Sequence, residues 1–172
     1  MQFSCREVLQ ESLHGCDTKF VASWNKAIMN VGGMSGLPYA IGQRESANRI
    51  LLFASDTPQG QWLSKLLESA GYRVTTISEL KAVLNLPLAD AHVVVVFNSR
   101  PHWRIDRVYE ICSSLKQAAP KLPLVVVGPN DVDAKIRLFK IGADDYVVEP
   151  FDFRELTARI NSLIRRQRPG PP

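Results

Sequence analysis

The 172-residue sequence has few cysteines and no long hydrophobic segment. Its three cysteines, Cys5, Cys16 and Cys112, are odd in number, widely spaced and without a CxxC pair. This pattern favours free thiols in a reducing cytosol over a disulfide framework. No apolar run is long enough to span a bilayer, and the N-terminus lacks the continuous apolar core of a signal peptide. We therefore expect a cytoplasmic protein that does not enter the membrane.

Neither sign of charge strongly dominates the composition. Lysine and arginine total 21 against 17 acidic residues, which gives a net charge of +4, and 45% of the residues are hydrophobic. These values predict a globular chain with enough apolar residues for a good core. Arg165, Arg166 and Arg168 lie close together near the C-terminus. A terminal basic run is more often solvated than bound to nucleic acid, so it is weak support for a nucleic-acid partner.

Residues 1–48 precede the regular part of the sequence and are predicted to form a separate extension. A short helix is expected within residues 1–16, and Asp17 is a plausible N-cap for a second helix. Apolar residues recur every four positions in that second helix: Phe20, Trp24 and Ile28. The glycine-rich residues after them predict a linker up to residue 48. The apolar stripe of this helix favours packing of the extension on the domain. The alternative is that the stripe is a binding surface for a partner protein.

From Arg49 onward, short apolar strands alternate with amphipathic helices. Strands are predicted at residues 50–53, 72–77, 92–97, 122–127 and 146–148. Helices are predicted after Asp56, weakly at 79–86, and at 103–118, 131–141 and 151–166. Repeated strand–helix units imply a parallel sheet covered on both faces. In a flavodoxin-like order, 2-1-3-4-5, a ligand crevice lies at the carboxyl ends of strands one and three, here residues 54–57 and 97–101.

One stretch near the C-terminus carries a family resemblance. Gly-Ala-Asp-Asp-Tyr begins at Gly142, X-Pro-Phe ends at Phe151, and Arg-Glu-Leu-x-Ala-Arg-Ile runs over residues 154–160. These motifs resemble the last strand and helix of a response-regulator receiver domain of the OmpR/PhoB kind, which acts in two-component signal transduction. The resemblance implies a flavodoxin-like (βα)5 domain over residues 49–168. It also implies a cis bond between Glu149 and Pro150.

The resemblance further implies a phosphorylation site at the crevice. In receiver domains, an aspartate at the end of strand three accepts a phosphoryl group from a histidine kinase. That aspartate and an acidic pair after strand one hold a divalent cation, which prefers several carboxylate or carbonyl oxygens. A hydroxyl after strand four and a lysine after strand five complete the site, and the cation and the lysine stabilise the developing charge.

This sequence departs from the family at each of those positions. Ala54 and Ser55 occupy the positions of the acidic pair. Phe97 occupies the position of the acceptor aspartate, or Asn98 does if the alignment shifts by one residue. Gly128 stands at the position of the hydroxyl and Glu149 at that of the lysine. We therefore expect a chain that is neither a phosphoacceptor nor an enzyme, with no cofactor and no metal. Asp56 remains near the site and is interpreted as a helix cap. The alternative is a new cation site built from Asp56 and Glu149.

The ring of Phe97 suggests why phosphorylation would not be needed. A large apolar side chain can fill the space that a metal ion and a phosphoryl group occupy in other receivers. We hypothesise that it helps to hold one signalling state permanently. The hypothesis requires Phe97 to be buried.

The resemblance also implies a twofold dimer through the fourth helix, fifth strand and fifth helix. Carried over by position, the pairs across the twofold axis are Lys135 with Glu155, Asp145 with Arg159, and Asp144 with Arg166. The apolar patch falls on Ile136, Phe139 and Thr157, where the threonine departs from the usual small apolar residue, and the switch aromatic is Tyr146. The alternative is that these charges lie on solvated helix faces and pair within one chain.

The sequence thus predicts an atypical, phosphorylation-independent receiver that serves as the homodimerisation module of a transcriptional regulator. Nothing in it resembles a recognition helix, so DNA would be read by a domain outside this sequence, and residues 169–172 resemble the start of a linker. A stand-alone pseudo-receiver that binds a heterologous protein is the alternative. A small-ligand sensor that uses the vacated crevice is a third possibility.

Overall fold

The computed structural model describes residues 48–54, 57–79, 81, 88–97 and 104–167. The chain divides into two compact units, residues 1–45 and 46–172, and every described residue belongs to the second unit. The described residues do not include residues 1–47 of the predicted extension (1–48), most of the helix predicted at 79–86, or the tail at 169–172. Within the described ranges, no helix is long and apolar enough to cross a membrane.

Five parallel strands form one sheet: β1 (Arg49–Ala54), β2 (Arg73–Ile77), β3 (Val93–Phe97), β4 (Leu124–Gly128) and β5 (Asp145–Val148). Their order is β2-β1-β3-β4-β5, which confirms the predicted flavodoxin-like topology. Every residue of β3 and β4 is buried. Strands covered on both faces read as continuous apolar runs, which is why the valine-rich segments were recognisable as central strands.

Four helices are described: α1 (Pro58–Ser69), α2 (Ile105–Ala118), α3 (Val132–Ile141) and α4 (Phe153–Gln167). A short 3₁₀ turn, Leu88–Asp90, precedes β3. Helices α3 and α4 lie in sequence on either side of β5. Gly142 ends α3 in the left-handed conformation, with φ at 116°, which glycine adopts at low cost.

The start of α1 differs from the prediction. Its N-cap is Thr57, whose hydroxyl accepts a hydrogen bond from the Gly60 backbone N–H at 3.3 Å. The prediction that Asp56 caps this helix was wrong by one residue, because Pro58 occupies the first helical position and the cap is the residue before it. Asp56 itself lies outside the described residues.

The core on one face of the sheet lies beneath α2 and α3. Leu51, Phe53, Val94 and Val126 contribute their side chains to this cluster, together with Cys112 of α2. Cys112 is a free cysteine, and its burial raises the pKa of the thiol to about 12. The thiol therefore stays protonated at neutral pH, and its role is that of a small apolar side chain.

Candidate functional site

The carboxyl edge of the sheet brings the residues of the predicted crevice together. Ala54 of β1 lies opposite Phe97 of β3, and Phe97 lies opposite Val127 of β4. Gly128 ends β4, and its carbonyl accepts a hydrogen bond of 2.8 Å from the backbone N–H of Glu149. The described positions of the degenerate site are therefore neighbours at one edge. Ser55 and Asn98 lie outside the described residues.

Phe97 fills the end of β3 with an aromatic ring. Only 2% of its surface is exposed, so the burial that the locking hypothesis requires is present. Its ring meets that of Phe151 edge to face, with the centroids 6.5 Å apart and an interplanar angle of 83°. Phe151 is also buried and follows the cis peptide bond between Glu149 and Pro150. Two aromatic rings thus pack where the family places its reactive carboxylate.

Glu149 places an acid at the position where the family has a lysine. Both of its carboxylate oxygens are buried. A negative charge here would repel a phosphoryl group. No group of three or more His, Cys, Asp or Glu side chains in the described ranges is arranged to hold a metal ion. Because Asp56 lies outside those ranges, the alternative cation site that pairs it with Glu149 stays a prediction.

Tyr146 of β5, the predicted switch aromatic, points inward. Its side chain is buried, and its hydroxyl donates a hydrogen bond of 2.7 Å to the carbonyl of Pro129, the residue after β4. The Lys135 ammonium lies 5.5 Å from the centre of the Tyr146 ring and donates a hydrogen bond of 2.6 Å to Asn130. Lys135 of α3 is therefore held in place by its own chain.

Arg159 of α4 connects two of the predicted interface acids within one chain. Its guanidinium donates to Asp145 at 3.0 and 3.1 Å and to Glu155 at 2.8 and 2.9 Å. The hydrogen bonds to Glu155 and then to Asp145 raise the pKa of Arg159 above its ordinary value. The partners that the sequence placed across a twofold axis, Asp145 and Arg159, are thus also partners inside one molecule.

Asp144 is likewise engaged within the chain. Its carboxylate accepts hydrogen bonds from the Lys116 ammonium at 2.8 Å and from the Leu124 backbone N–H at 2.9 Å. Lys116 also donates to the carbonyl of Leu122 at 2.9 Å, and only 14% of its side chain is exposed. Asp144 therefore fixes the start of β4 to the end of α2. Arg166, its predicted partner across the axis, takes part in no ion pair among the described residues.

We expect Asp144→Ala to lower the free energy of unfolding by about 1–3 kcal/mol, because it leaves the Leu124 N–H without its acceptor and removes the carboxylate that pairs with the Lys116 ammonium. Asp144→Asn keeps an acceptor for Leu124 and should cost less. Arg166→Ala is the matched control and should stay within about 0.5 kcal/mol of the wild type. Urea unfolding measures all three changes. Equal stability of Asp144→Ala and the wild type would contradict this internal role.

The remaining feature of this surface is an exposed apolar stripe on α3. The stripe consists of three residues at helical spacing: Val132, which is 63% exposed, Ile136, which is 49% exposed, and Phe139, which is 48% exposed. Ile136 and Phe139 belong to the predicted apolar patch, and Val132, which was not predicted to belong to it, lies one turn earlier on the same face. Thr157 of α4 is half-buried and donates its hydroxyl to the Phe153 carbonyl at 3.0 Å, so its polar group is satisfied within its own helix.

Several characterised proteins are similar to this chain. It is 32% identical over 122 residues to the response regulator MprA of Mycolicibacterium vanbaalenii, an alignment that covers 70% of this chain and 52% of MprA. It is 28% identical over 121 residues to the transcriptional regulatory protein PcoR of Escherichia coli, covering 70% and 53% of the two chains. The chain thus spans about half the length of these curated relatives. No family model matches it.

Solved structures agree with these relatives. The non-phosphorylated HemR receiver domain of Leptospira biflexa superposes with a TM-score of 0.59 at 25% identity, covering 72% of this chain and 99% of that one. Full-length FixJ of B. japonicum gives a TM-score of 0.58 at 28% identity, covering 73% and 61%. The described domain therefore resembles the receiver domains of response regulators in both fold and sequence.

Proposed function

We propose that this domain is a phosphorylation-independent receiver that joins two copies of a transcriptional regulator. The observation that carries the proposal is the packing of Phe97 against Phe151 at the acceptor position. Ala54, Phe97 and Gly128 offer no side-chain oxygen to a hard cation. Glu149 adds negative charge where a phosphoryl group needs positive charge. On this reasoning the domain is not an enzyme and uses no cofactor.

Tyr146 supports the idea of a single fixed state. Its inward position is held by the hydrogen bond to the Pro129 carbonyl, which needs no phosphoryl group. Gly128, directly before Pro129, has no side chain that could clash with the ring. In this proposal, the buried aromatic pair at the end of β3 and the hydrogen bond from Tyr146 together keep the α3–β5–α4 face in one form.

The same face is the proposed dimer interface. Each contact across a twofold axis occurs twice, so a small patch contributes more than its size in one copy suggests. Exposed ion pairs contribute only about 0–1 kcal/mol each, so burial of Ile136 and Phe139 would supply most of the affinity. The charges would set register and partner choice. Because Arg159, Asp145 and Glu155 already hold one another in place, ordering them in a dimer costs little further side-chain entropy.

The relatives named as transcriptional regulators support the wider role. PcoR is called a transcriptional regulatory protein, and about half of its length lies outside the similarity. In the proposed arrangement, residues 49–168 are the regulatory module, residues 1–48 are an extension, and base sequence is read by a domain beyond these 172 residues. The cytoplasm is the proposed location, as for a regulator that acts on genes.

Sedimentation equilibrium of the full 172-residue chain, with and without Mg²⁺ and a small acyl phosphate donor, tests the proposal. We expect a dimer whose dissociation constant is the same in both conditions, and an intact mass that gains no phosphoryl group. A mass increase that tightens the dimer would overturn phosphorylation independence. A monomer at all concentrations would overturn homodimerisation and favour the stand-alone pseudo-receiver that binds a different protein.

A further inference from the structure

The outer side of α3 carries an exposed apolar stripe with the spacing of a helix–helix contact. The α3 stripe consists of Val132, Ile136 and Phe139, which are the large exposed hydrophobic residues of the described ranges. The steps of four and then three residues are those of the core positions of a coiled-coil helix. A helix with this spacing buries its stripe well against a second helix that presents the same pattern.

Both flanks of α3 are engaged within the chain, and this fixes the direction in which the stripe points. On one flank, the Lys135 ammonium lies 5.5 Å from the centre of the Tyr146 ring of β5. On the other, the guanidinium carbon of Arg137 lies 4.1 Å from the centre of the Tyr109 ring of α2. Leu138 lies on the buried side of the helix. The stripe therefore points away from the sheet on a helix that is already held in place, so binding orders little more of it.

Two opposite charges accompany the stripe. Asp133 lies in the first turn of α3, and Lys140 lies in the last. They are seven residues apart, so they lie on the same side of the helix, about one turn before and one turn after Ile136. Both are exposed, and neither takes part in an ion pair among the described residues. The helix dipole favours this order of charges, but it does not account for their place beside an apolar stripe.

The α3 stripe is complementary to itself. Apolar surface gains most from contact with other apolar surface, and in the described ranges of a second copy the large exposed hydrophobics are again those of α3. A twofold axis that crosses α3 near Ile136 sets the two helices antiparallel and brings stripe against stripe. Asp133 of each copy then lies near Lys140 of the other. A parallel arrangement would instead bring Asp133 near Asp133 and Lys140 near Lys140.

We propose that α3 packs antiparallel against α3 of a second copy, with the stripe at the centre and an Asp133–Lys140 pair at each end. This inference rests on the proposed homodimerisation and names the contact that selects the partner. Arg159 already holds Asp145 and Glu155 within its own chain. Asp133 and Lys140 take part in neither of these pairs, so they are the charges that recognise the second copy.

The small size of the stripe sets the expected strength of the contact. The stripe extends over about 10 Å of helix. An interface centred on it buries less than the roughly 1,200 Å² of a standard stable complex. We therefore expect a dimer that dissociates measurably at micromolar concentrations, where the effect of a single charge on the dissociation constant can be followed.

Complementary charge reversal tests the antiparallel contact by sedimentation equilibrium of the full chain. Asp133→Lys alone and Lys140→Asp alone each bring like charges together at both ends of the stripe. Each variant should therefore form its own dimer at least about tenfold more weakly than the wild type. In a one-to-one mixture of the two variants, the heterodimer again has opposite charges at both ends. Its dissociation constant should return to within about threefold of the wild-type value.

The matched control makes the same two reversals on α1, at exposed positions outside the α3–β5–α4 face: Glu68→Lys and Lys65→Asp. These variants and their mixture should dimerise like the wild type. Circular dichroism and urea unfolding of each variant alone check that it is folded.

Val132→Gln is a second probe, and it changes no charge. Because Val132 is 63% exposed, the substitution should leave the fold intact. It removes apolar contact from both copies, so it should raise the dissociation constant about fivefold or more. This readout does not depend on the charge reversals.

The outcomes separate this contact from dimerisation itself. Reversal variants and Val132→Gln that dimerise like the wild type would show that α3 does not meet α3, while the homodimer stands. Weakened single variants without recovery in the mixture would show that Asp133 and Lys140 do not meet each other across the axis. A wild-type chain that stays monomeric at all concentrations would overturn both the homodimer and the contact.

Discussion

Phe97→Ala is expected to lower the free energy of unfolding by about 3–5 kcal/mol, the usual cost of removing a fully buried aromatic ring. Phe97 is 2% exposed and ends the central strand, with Ala54 and Val127 as its neighbours in the sheet. The cavity would also take away the edge-to-face contact with Phe151. Domains of this size have only about 5–15 kcal/mol of stability, so the variant should lie close to unfolding.

Phe139→Ala is the matched control, because it makes the same substitution at a residue that is 48% exposed. Measured by urea unfolding at a protein concentration where both variants are monomeric, it should cost less than about 1 kcal/mol. Similar costs for the two variants would contradict the packed aromatic pair at the acceptor position. That result would also remove the main support for the proposal that the site is closed to metal ions and phosphoryl groups.

Phe139→Asp is expected to raise the dissociation constant of the proposed dimer by at least about a hundredfold. Twofold symmetry puts the new carboxylate into the interface twice, and burying each one against an apolar patch costs more than about 1.4 kcal/mol, a factor of ten in affinity. The monomer should fold normally because the side chain is half exposed. Sedimentation equilibrium over a wide concentration range measures the change.

Gln117→Asp is the control, since it adds the same charge at an exposed position of α2, which is not part of the proposed α3–β5–α4 interface. It should leave the dimer unchanged. A dimer that tolerates Phe139→Asp as well as Gln117→Asp would show that another surface joins the copies. Arg159→Glu is a less direct probe, because Arg159 also binds Asp145 and Glu155 within its own chain, so its reversal disturbs the monomer.

Periodicity was sufficient to predict the sheet. The uninterrupted apolar run before Asn98 could only be satisfied by a strand covered on both faces, and β3 is such a strand. Boundaries were less certain, because local signals compete near helix starts. Asp56 and Thr57 are both good N-caps by residue type. Thr57 is the cap because Pro58 is the first residue of the helix and Thr57 directly precedes it.

The chemistry of the site was predictable only as a set of positions. The sequence placed Ala54, Phe97 and Gly128 at strand ends, and the structure brings those ends side by side. It did not reveal that Phe97 meets Phe151, because that contact depends on how the chain turns after β5. Lys116 was missed as the partner of Asp144 for a different reason: their contact is set by the packing of α2 on the sheet, which periodicity does not encode.

The valine run that makes β3 a good central strand has another consequence. Val93–Phe97 is apolar, rich in β-branched residues and free of charge and proline, which is the composition of segments that form amyloid-like zippers. In the folded domain, pairing with β1 and β4 occupies both of its edges. Molecules that lose this pairing expose an unpaired apolar strand with which other chains can form β-sheet hydrogen bonds. The stability of the domain therefore also sets its resistance to aggregation, and the yield of refolding should fall as protein concentration rises.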